Sequence, residues 1–192
     1  RVDSNRLERY GLEELAARIR SAIKSPSPVG ALEVQHLLSG APSEALRRSA
    51  SIEHRRLIGS FFTSQEMAAR VWLKALASVD EHSVVLDPAC GAGDLLLPAL
   101  KKMLLDGQAD VLPRIQGSDL EPSFVEVAKL RLTLATEALG FEVGAPPQVS
   151  VKDFYSSDFN LAVIDRCVGI GCMRAAKGKT AGTGIFQEAE RT

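Results

Sequence analysis

The sequence predicts an α/β fold of the Rossmann-like kind, in which helices cover both faces of a parallel sheet and a helical region precedes that sheet. From residue 84 onward, short runs rich in β-branched and aliphatic residues recur along the chain. Apolar segments with helical periodicity separate the first three of these runs. Strands that alternate with helices indicate βαβ units and therefore a parallel sheet. A glycine-containing turn directly after the first run is typical of such sheets where they bind a ligand.

Composition limits the classes of protein to which the chain can belong. Its 192 residues, 45% of them hydrophobic, are enough for about one domain with its own core. A formal net charge of −1 gives no overall attraction to nucleic acid or to an anionic membrane, so a local patch must meet any such partner. No apolar run reaches the ~18 residues of a membrane span. The three cysteines lack the spacing of a disulfide framework or a metal site, which indicates free thiols and a cytoplasmic location.

The first part of the chain is predicted to be helical throughout. Three segments have helical spacing of apolar residues or a helix-start pattern, namely residues 5–23, 31–40 and 42–48. Between the first two, KSPSPVG at 24–30 is a break, because each proline disfavours helix in the residue before it. We therefore expect an N-terminal helical region over residues 1–58 and an α/β core over residues 59–192.

Four strands and two intervening helices are predicted for the core. The strands are VVLD (84–87), RIQGSD (114–119), VSVKD (149–153) and LAVID (161–165). The helices are LLLPALKKMLLDG (95–107) and SFVEVAKLRLTLATEALG (123–140). The chain ends at IFQEAERT, a pattern typical of a starting helix, and a doubly wound sheet usually has more than four strands. Together with a start at Arg1 rather than methionine, this indicates a segment of a longer fold.

The first predicted strand leads into the turn of VVLDPACGAGD (84–94), at the edge where ligands of such sheets bind. Gly91 and Gly93 remove side chains where a ligand must approach the backbone. Asp87 and Asp94 would repel a phosphate and favour a cationic or hydroxyl-rich ligand. Leu96 also takes the place of the third glycine of G-x-G-x-x-G, so a dinucleotide is disfavoured.

Carboxylates also end the second and third predicted strands. Asp119 can accept hydrogen bonds from both hydroxyls of a ribose, each worth roughly 1.5–3 kcal/mol. Asp153 can accept from an exocyclic amine, and Phe154 beside it can cover a purine face. With the turn, they predict a pocket for an adenosine that carries a positive group, a description that S-adenosylmethionine fits. Taken alone, each aspartate has the alternative of a helix cap or turn former.

Several stretches match the motifs of one known family. DPACGAGDLLL (87–97) is very close to D-P-A-C-G-S-G-D-F-L, with Ala92 replacing serine and Leu95 replacing phenylalanine. FFTS (61–64) is similar to F-x-T-P, with Ser64 replacing proline. GSDLEPSFVEVAKLRLTL is similar to the ribose-binding segment of the same family, and KDFY is similar to its adenine-binding segment. On these motifs, residues 55–165 resemble class I S-adenosylmethionine-dependent methyltransferases, in particular the adenine-specific (N6) DNA methyltransferases of restriction–modification systems.

The resemblance implies S-adenosylmethionine as cofactor, double-stranded DNA as substrate and restriction–modification subunits as partners. It also implies cofactor contacts from the residues of these motifs, namely Phe62, Thr63, Asp87, Ala89, Gly91, Gly93, Asp94, Asp119, Leu120, Asp153 and Phe154. No membrane and no metal is expected among its partners.

The catalytic motif of that family, N/D-P-P-Y/F, corresponds here to DRCV at 165–168. Asp165 matches its first position, Arg166 and Cys167 replace both prolines, and Val168 replaces the aromatic residue. The aromatic residue stacks on a flipped base, a contact worth about 1–3 kcal/mol that valine largely gives up. Three interpretations remain: a degenerate relative that keeps the cofactor or DNA or serves as a scaffold, an altered or incomplete segment, or a methyltransferase with another acceptor such as RNA or protein. The motif favours impaired adenine methylation.

A glycine-rich segment without acidic residues follows at 166–187. Its basic residues are Arg166, Arg174, Lys177 and Lys179. We predict a mobile basic loop that either contacts DNA phosphates or is simply solvated.

Overall fold

The structure is a computed structural model. It describes residues 12–24, 28–49, 66, 68, 70, 71, 79–152, 167–173 and 182–186. Within these residues, a sheet of five strands forms the centre of the fold. The strands are β1 (Val84–Asp87), β2 (Ile115–Asp119), β3 (Gln148–Val151), β4 (Cys167–Met173) and β5 (Gly182–Phe186). Their order across the sheet is β3-β2-β1-β4-β5.

Pairing within the sheet brings the ends of β1 and β2 together at one edge. β1 lies between β2 and β4 and is parallel to both, while β3 is parallel to β2. Asp87 is opposite Gly117, so β2 continues past β1 to Asp119. In doubly wound sheets, ligands bind at the carboxyl ends of parallel strands. The predicted α/β fold and its first three strands are therefore confirmed, and they form the edge at which a ligand is expected.

Five helices have defined bounds in the described part of the chain. They are α1 (Leu12–Lys24), α2 (Pro28–Leu37), α3 (Ala41–Ser49), α4 (Leu96–Leu105) and α5 (Pro122–Ala138). α4 follows β1 and α5 follows β2, as the alternating pattern predicts. Pro122 occupies the first turn of α5, where a missing N–H breaks no helical hydrogen bond. None of the described helices has both the length and the apolar character needed to cross a membrane.

A hydrophobic core fixes α4 and α5 against the sheet. Val85 of β1, Ile115 of β2, Leu96 and Leu100 of α4, and Leu132 of α5 are fully buried within it. Burial of one such side chain contributes about 1.5–3 kcal/mol. Because Leu96 begins α4, this core also anchors the turn that precedes the helix.

A second buried cluster joins the N-terminal helices to α5. Ile19 of α1 and Leu37 of α2 are fully buried there against Phe124 and Val127 of α5. The predicted helices within residues 12–49 are confirmed, and they pack directly on the α/β core. The division between residues 58 and 59 stays a prediction, because residues 50–65 lie outside the described part of the chain.

The prediction of a mobile loop over residues 166–187 is wrong for the two segments that form β4 and β5. β4 pairs parallel with β1, and β5 pairs antiparallel with β4. Glycine in CVGIGCM and GTGIF lowers the local preference for a strand, but ladder hydrogen bonds to a neighbouring strand outweigh it. The sheet thus has five described strands rather than four, and Ile185 and Phe186 belong to β5 rather than to a helix. The predicted strand at 161–165 lies outside the described residues.

Candidate functional site

The turn between β1 and α4 depends on its two glycines. Gly91 and Gly93 have φ angles of 51° and 85°, in the left-handed region that L side chains rarely adopt. A Cβ atom at Gly93 would also lie 3.3 Å from the Cβ atom of Ala128 on α5. The Gly93 N–H donates to the Cys90 carbonyl at 2.8 Å, and the Cys90 N–H donates to the Ser118 carbonyl at 2.9 Å. The chain is therefore bent tightly here and held against the end of β2.

Gly117 of β2 makes room for this turn, a role that the sequence did not reveal. A Cβ atom at Gly117 would lie 3.0 Å from Cδ1 of Leu96 and 3.1 Å from Sγ of Cys90. The next residue, Ser118, donates from its hydroxyl to the Pro88 carbonyl at 3.0 Å. β2 therefore packs closely against Cys90 and Leu96 and holds the Pro88 carbonyl by a hydrogen bond.

Asp119 connects the end of β2 to the glycine turn. Its Oδ2 accepts from the Gly91 N–H at 2.9 Å, and its Oδ1 accepts from the Glu121 N–H at 2.9 Å. A carboxylate has about four lone-pair sites, so one site on each oxygen remains after these two bonds. Asp119 can therefore hold the turn and still accept hydrogen bonds from two ligand hydroxyls.

Asp87 is the most deeply buried carboxyl group at this edge, with 1% of its surface exposed. Its Oδ1 accepts from the Ala89 N–H at 3.1 Å. Burial, together with the smaller effect of the charges of Asp119 and Asp94, raises the pKa of Asp87 to about 8 against the lowering effect of that amide. Burial also raises the pKa of Asp119, although the amides of Glu121 and Gly91 oppose the change. A cation placed at this edge would relieve the mutual repulsion of these carboxylates.

Asp94, at the far end of the turn, is paired with Arg131 of α5. Nη1 and Nη2 of Arg131 both donate to Oδ1 of Asp94, each at 3.0 Å. Arg131 is completely buried, although arginine is among the residues least often found inside proteins. Sequence reasoning missed it. The sequence did offer one indication of a buried charge: Arg131 stands between the leucines of KLRLTLATEA.

Cys90 and Leu120 differ sharply in exposure. Cys90 is buried beneath the turn, and burial raises the pKa of its thiol, with the charges of Asp87 and Asp119 adding to the effect. Such a thiol is a packing residue rather than a nucleophile.

Leu120, directly after Asp119, is 58% exposed and offers an apolar surface beside the carboxylate. Among the described residues, no group of three or more His, Cys, Asp or Glu side chains could hold a metal ion.

The structure brings together the predicted site residues that belong to the turn and to the end of β2. The other predicted site residues lie outside its described part, namely Phe62, Thr63, Asp153, Phe154, Asp165, Arg166, Arg174, Lys177 and Lys179. Cys167 and Val168, the last two residues of DRCV, are opposite Val84 and Val85 in the pairing of β4 with β1.

The first strand of the sheet runs into a glycine turn, and the second strand, parallel to it, ends in a carboxylate bonded to that turn, an arrangement that defines a Rossmann-like α/β domain. The family model for the N-6 DNA methylases matches residues 35–140, more than half of the chain. The chain belongs to that family.

A solved structure of the type IIG restriction endonuclease BpuSI is similar in fold, with a TM-score of 0.51 and 23% sequence identity. The similarity covers 74% of this chain and 16% of the endonuclease chain, so this chain spans a small part of that protein's length. No curated protein matches the chain.

Proposed function

We propose that the chain binds S-adenosylmethionine at the carboxyl ends of β1 and β2, as the cofactor-binding part of a DNA adenine-N6 methyltransferase from a restriction–modification system. The observation that carries the proposal is the position of Asp119. Its carboxylate is bonded to the Gly91 amide and retains acceptor sites for a ribose. Membership of the N-6 DNA methylase family supports the reaction class.

The charge of the site favours this cofactor over a nucleoside phosphate. S-adenosylmethionine has a cationic sulfonium and a cationic amine. Asp119 is a carboxylate beside the turn, and a pyrophosphate at the start of α4 would also face Asp87, whose ionised form is stabilised by a cation but not by an anion. In the proposed complex, Asp119 binds the ribose hydroxyls and Leu120 covers one face of the adenine. From the resemblance, Phe62, Thr63, Asp153 and Phe154 complete the pocket.

Methyl transfer of this kind needs no covalent enzyme intermediate. Bound S-adenosylmethionine would supply the methyl group: the target amine would attack the methyl carbon in line, the S–C electron pair would stay with the departing thioether, and the proton of the amine would pass to solvent. The protein contributes position and electrostatics. Asp165 is the proposed acceptor of hydrogen bonds from the amine, which reaches the site after the base has left the duplex.

Double-stranded DNA and cytoplasmic location belong to the same proposal. The basic residues Arg166, Arg174, Lys177 and Lys179 are the proposed contacts with DNA phosphates. Partner subunits of a restriction–modification system would supply functions beyond this segment. The similarity in fold to a type IIG restriction endonuclease supports that setting.

Calorimetric titration with S-adenosylmethionine tests the proposal, with Asp119→Ala as the site variant. Loss of two charge-assisted hydrogen bonds predicts at least about 100-fold weaker binding. Asp106→Ala is the matched control, because Asp106 follows the opposite end of α4, about 15 Å along the helix axis. It should bind as the wild type does. Equal affinity in all three proteins, or no binding by the folded wild type, would contradict the proposal.

A second candidate is a non-catalytic module that keeps the cofactor or DNA, or serves as a scaffold. The substitution of DRCV at 165–168 for the catalytic motif favours it. Transfer of labelled methyl groups to duplex DNA separates the two candidates. N6-methyladenine in the product supports the enzyme, while saturable cofactor binding without transfer supports the module.

A further inference from the structure

We propose that Arg131 is a positioning residue for the cofactor turn, and that it makes the N-terminal helices part of the cofactor site. The inference rests on the proposed function, because it concerns the affinity of that same site for S-adenosylmethionine. Its basis is a set of five hydrogen bonds from one buried guanidinium to two separate parts of the chain.

The guanidinium of Arg131 has five N–H donors, and each has an acceptor. Nε donates to the Leu37 carbonyl at 2.9 Å. Nη1 donates to the Ala92 carbonyl at 2.6 Å and to Oδ1 of Asp94 at 3.0 Å. Nη2 donates to the Ser39 carbonyl at 2.6 Å and to the same Oδ1 at 3.0 Å. A complete set of bonds is what allows this charge to be buried.

Two of the acceptors belong to the turn itself. Ala92 lies between the two glycines, where the chain has the greatest conformational freedom, and Asp94 begins the approach to α4. Asp119 holds the other side of the turn through the Gly91 N–H. The turn is therefore clamped from β2 on one side and from α5 on the other, which fixes the backbone that a cofactor would approach.

The remaining acceptors lie at the C-terminal end of α2 and just beyond it. Leu37 is the last residue of α2, and Ser39 follows in the loop to α3. The C-terminal end of a helix carries partial negative charge and stabilises a cation. The end of α2 thus holds Arg131 in place, and Arg131 in turn holds Asp94. Displacement of α2 would remove two of the five hydrogen bonds and loosen the turn.

Hydrogen exchange and cofactor titration of the whole chain test this role. Arg131→Met removes all five bonds, and Arg131→Lys keeps the charge with fewer donors. Met103→Ala is the control for lost stability, because Met103 is fully buried near the C-terminal end of α4 and takes no part in these bonds. The probe ligand is S-adenosylmethionine, and the amides followed are those of Gly93, Leu96 and Leu97 in the ligand-free chain.

We expect Arg131→Met to weaken cofactor binding at least about 10-fold, as loss of supporting hydrogen bonds does at other sites. Arg131→Lys should restore part of the affinity, and Met103→Ala should stay within about twofold of the wild type. Exchange at Gly93 should accelerate in Arg131→Met more than in Met103→Ala. Equal effects of Arg131→Met and Met103→Ala on affinity would overturn the inference.

Failure of the proposed function gives a different pattern. If the folded wild type does not bind S-adenosylmethionine, the role of Arg131 in binding falls with the proposed function. If Arg131→Met fails to fold, Arg131→Lys supplies the comparison with Met103→Ala. Wild-type affinity in a folded Arg131→Lys chain, with unchanged exchange at Gly93, would also overturn the inference.

Discussion

Asp87 is a buried carboxyl group in the electrostatic field of two further carboxylates, Asp119 and Asp94. Its pKa of about 8 in the folded chain lies far above its ordinary value of 3.8. Between these pH values the folded chain holds a proton at Asp87 that the unfolded chain has lost. The free energy of unfolding therefore decreases as pH rises across this range. Asp119 adds a dependence of the same sign, because burial also raises its pKa.

Asp87→Asn should weaken this pH dependence. The amide keeps an oxygen that can accept from the Ala89 N–H, but it has no proton to lose. We expect the variant to gain at least ~1 kcal/mol of stability over the wild type at pH 8 and to lose that advantage near pH 4. Urea unfolding at several pH values measures the difference. If the free energy of unfolding of Asp87→Asn falls with pH as steeply as that of the wild type, Asp87 is already ionised in the folded chain.

Gly117→Ala tests the close contact between β2 and the turn. The added Cβ would meet the side chains of Leu96 and Cys90 at 3.0–3.1 Å, so these side chains must give by a few tenths of an ångström. Overpacking of this kind typically costs about 1–3 kcal/mol. Gly144→Ala is the control, because a Cβ there has no atom within 4 Å and its φ is not in the left-handed region. Equal stability of the two variants in chemical denaturation would refute this account of Gly117.

At the scale of helices and strands, the interface between α1 and α5 combines a buried apolar contact with an exposed ion pair. Ile19 is fully buried in it, whereas Arg20 and Glu126 form a salt bridge with both side chains partly exposed. Exposed ion pairs contribute up to about 1 kcal/mol, while truncation of a buried isoleucine costs about 2–5 kcal/mol. Apolar burial therefore dominates the attachment of the N-terminal helices.

Ile19→Ala should lower the free energy of unfolding by about 2–5 kcal/mol. Leu32→Ala, on the 74% exposed Leu32 of α2, should change it by less than about 0.5 kcal/mol. Thermal or urea unfolding of both variants provides the comparison. Similar values for the two would mean that α1 is not held by its buried face.

The strands and helices that the sequence predicted are those with a strong local pattern. β1 is a short aliphatic run that ends in Asp87, and α4 and α5 have long helical periodicity. β4 and β5 were missed because their glycines suggest a loop, and only pairing with β1 and with each other makes them strands. Arg131 was missed for a related reason. Its partner Leu37 is 94 positions away, beyond the reach of any local pattern.

At the scale of the whole molecule, the fold places carboxyl groups at one edge of the sheet, and Arg131 connects the turn at that edge to the N-terminal helices. The motif residues Asp87, Asp94 and Asp119 were predicted for this edge from the sequence, and the structure brings them around the same turn. Their contacts with a cofactor stay proposals. The geometry nevertheless gives this edge a preference for positive charge that a binding experiment can measure.

Affinity for S-adenosylmethionine should rise between pH 6 and pH 8. A cation beside Asp87 favours its ionised form, so binding releases a proton while the pH is below the pKa of about 8. Proton-linked binding can change affinity by up to about tenfold per pH unit. Calorimetry in buffers of different ionisation enthalpy measures the proton directly. Binding without proton release would place the cation away from Asp87.

The most direct test of the central claim compares two ligands that share an adenosine and differ in charge. S-adenosylmethionine and ATP are titrated into the chain at pH 8 and low ionic strength, with amide shifts of Gly91 and Gly93 as the readout. We predict saturable shifts with S-adenosylmethionine and none with ATP at the same concentrations, because Asp119 and the partly ionised Asp87 attract a cation and repel a triphosphate. Saturable shifts with ATP, or none with S-adenosylmethionine, would contradict the account.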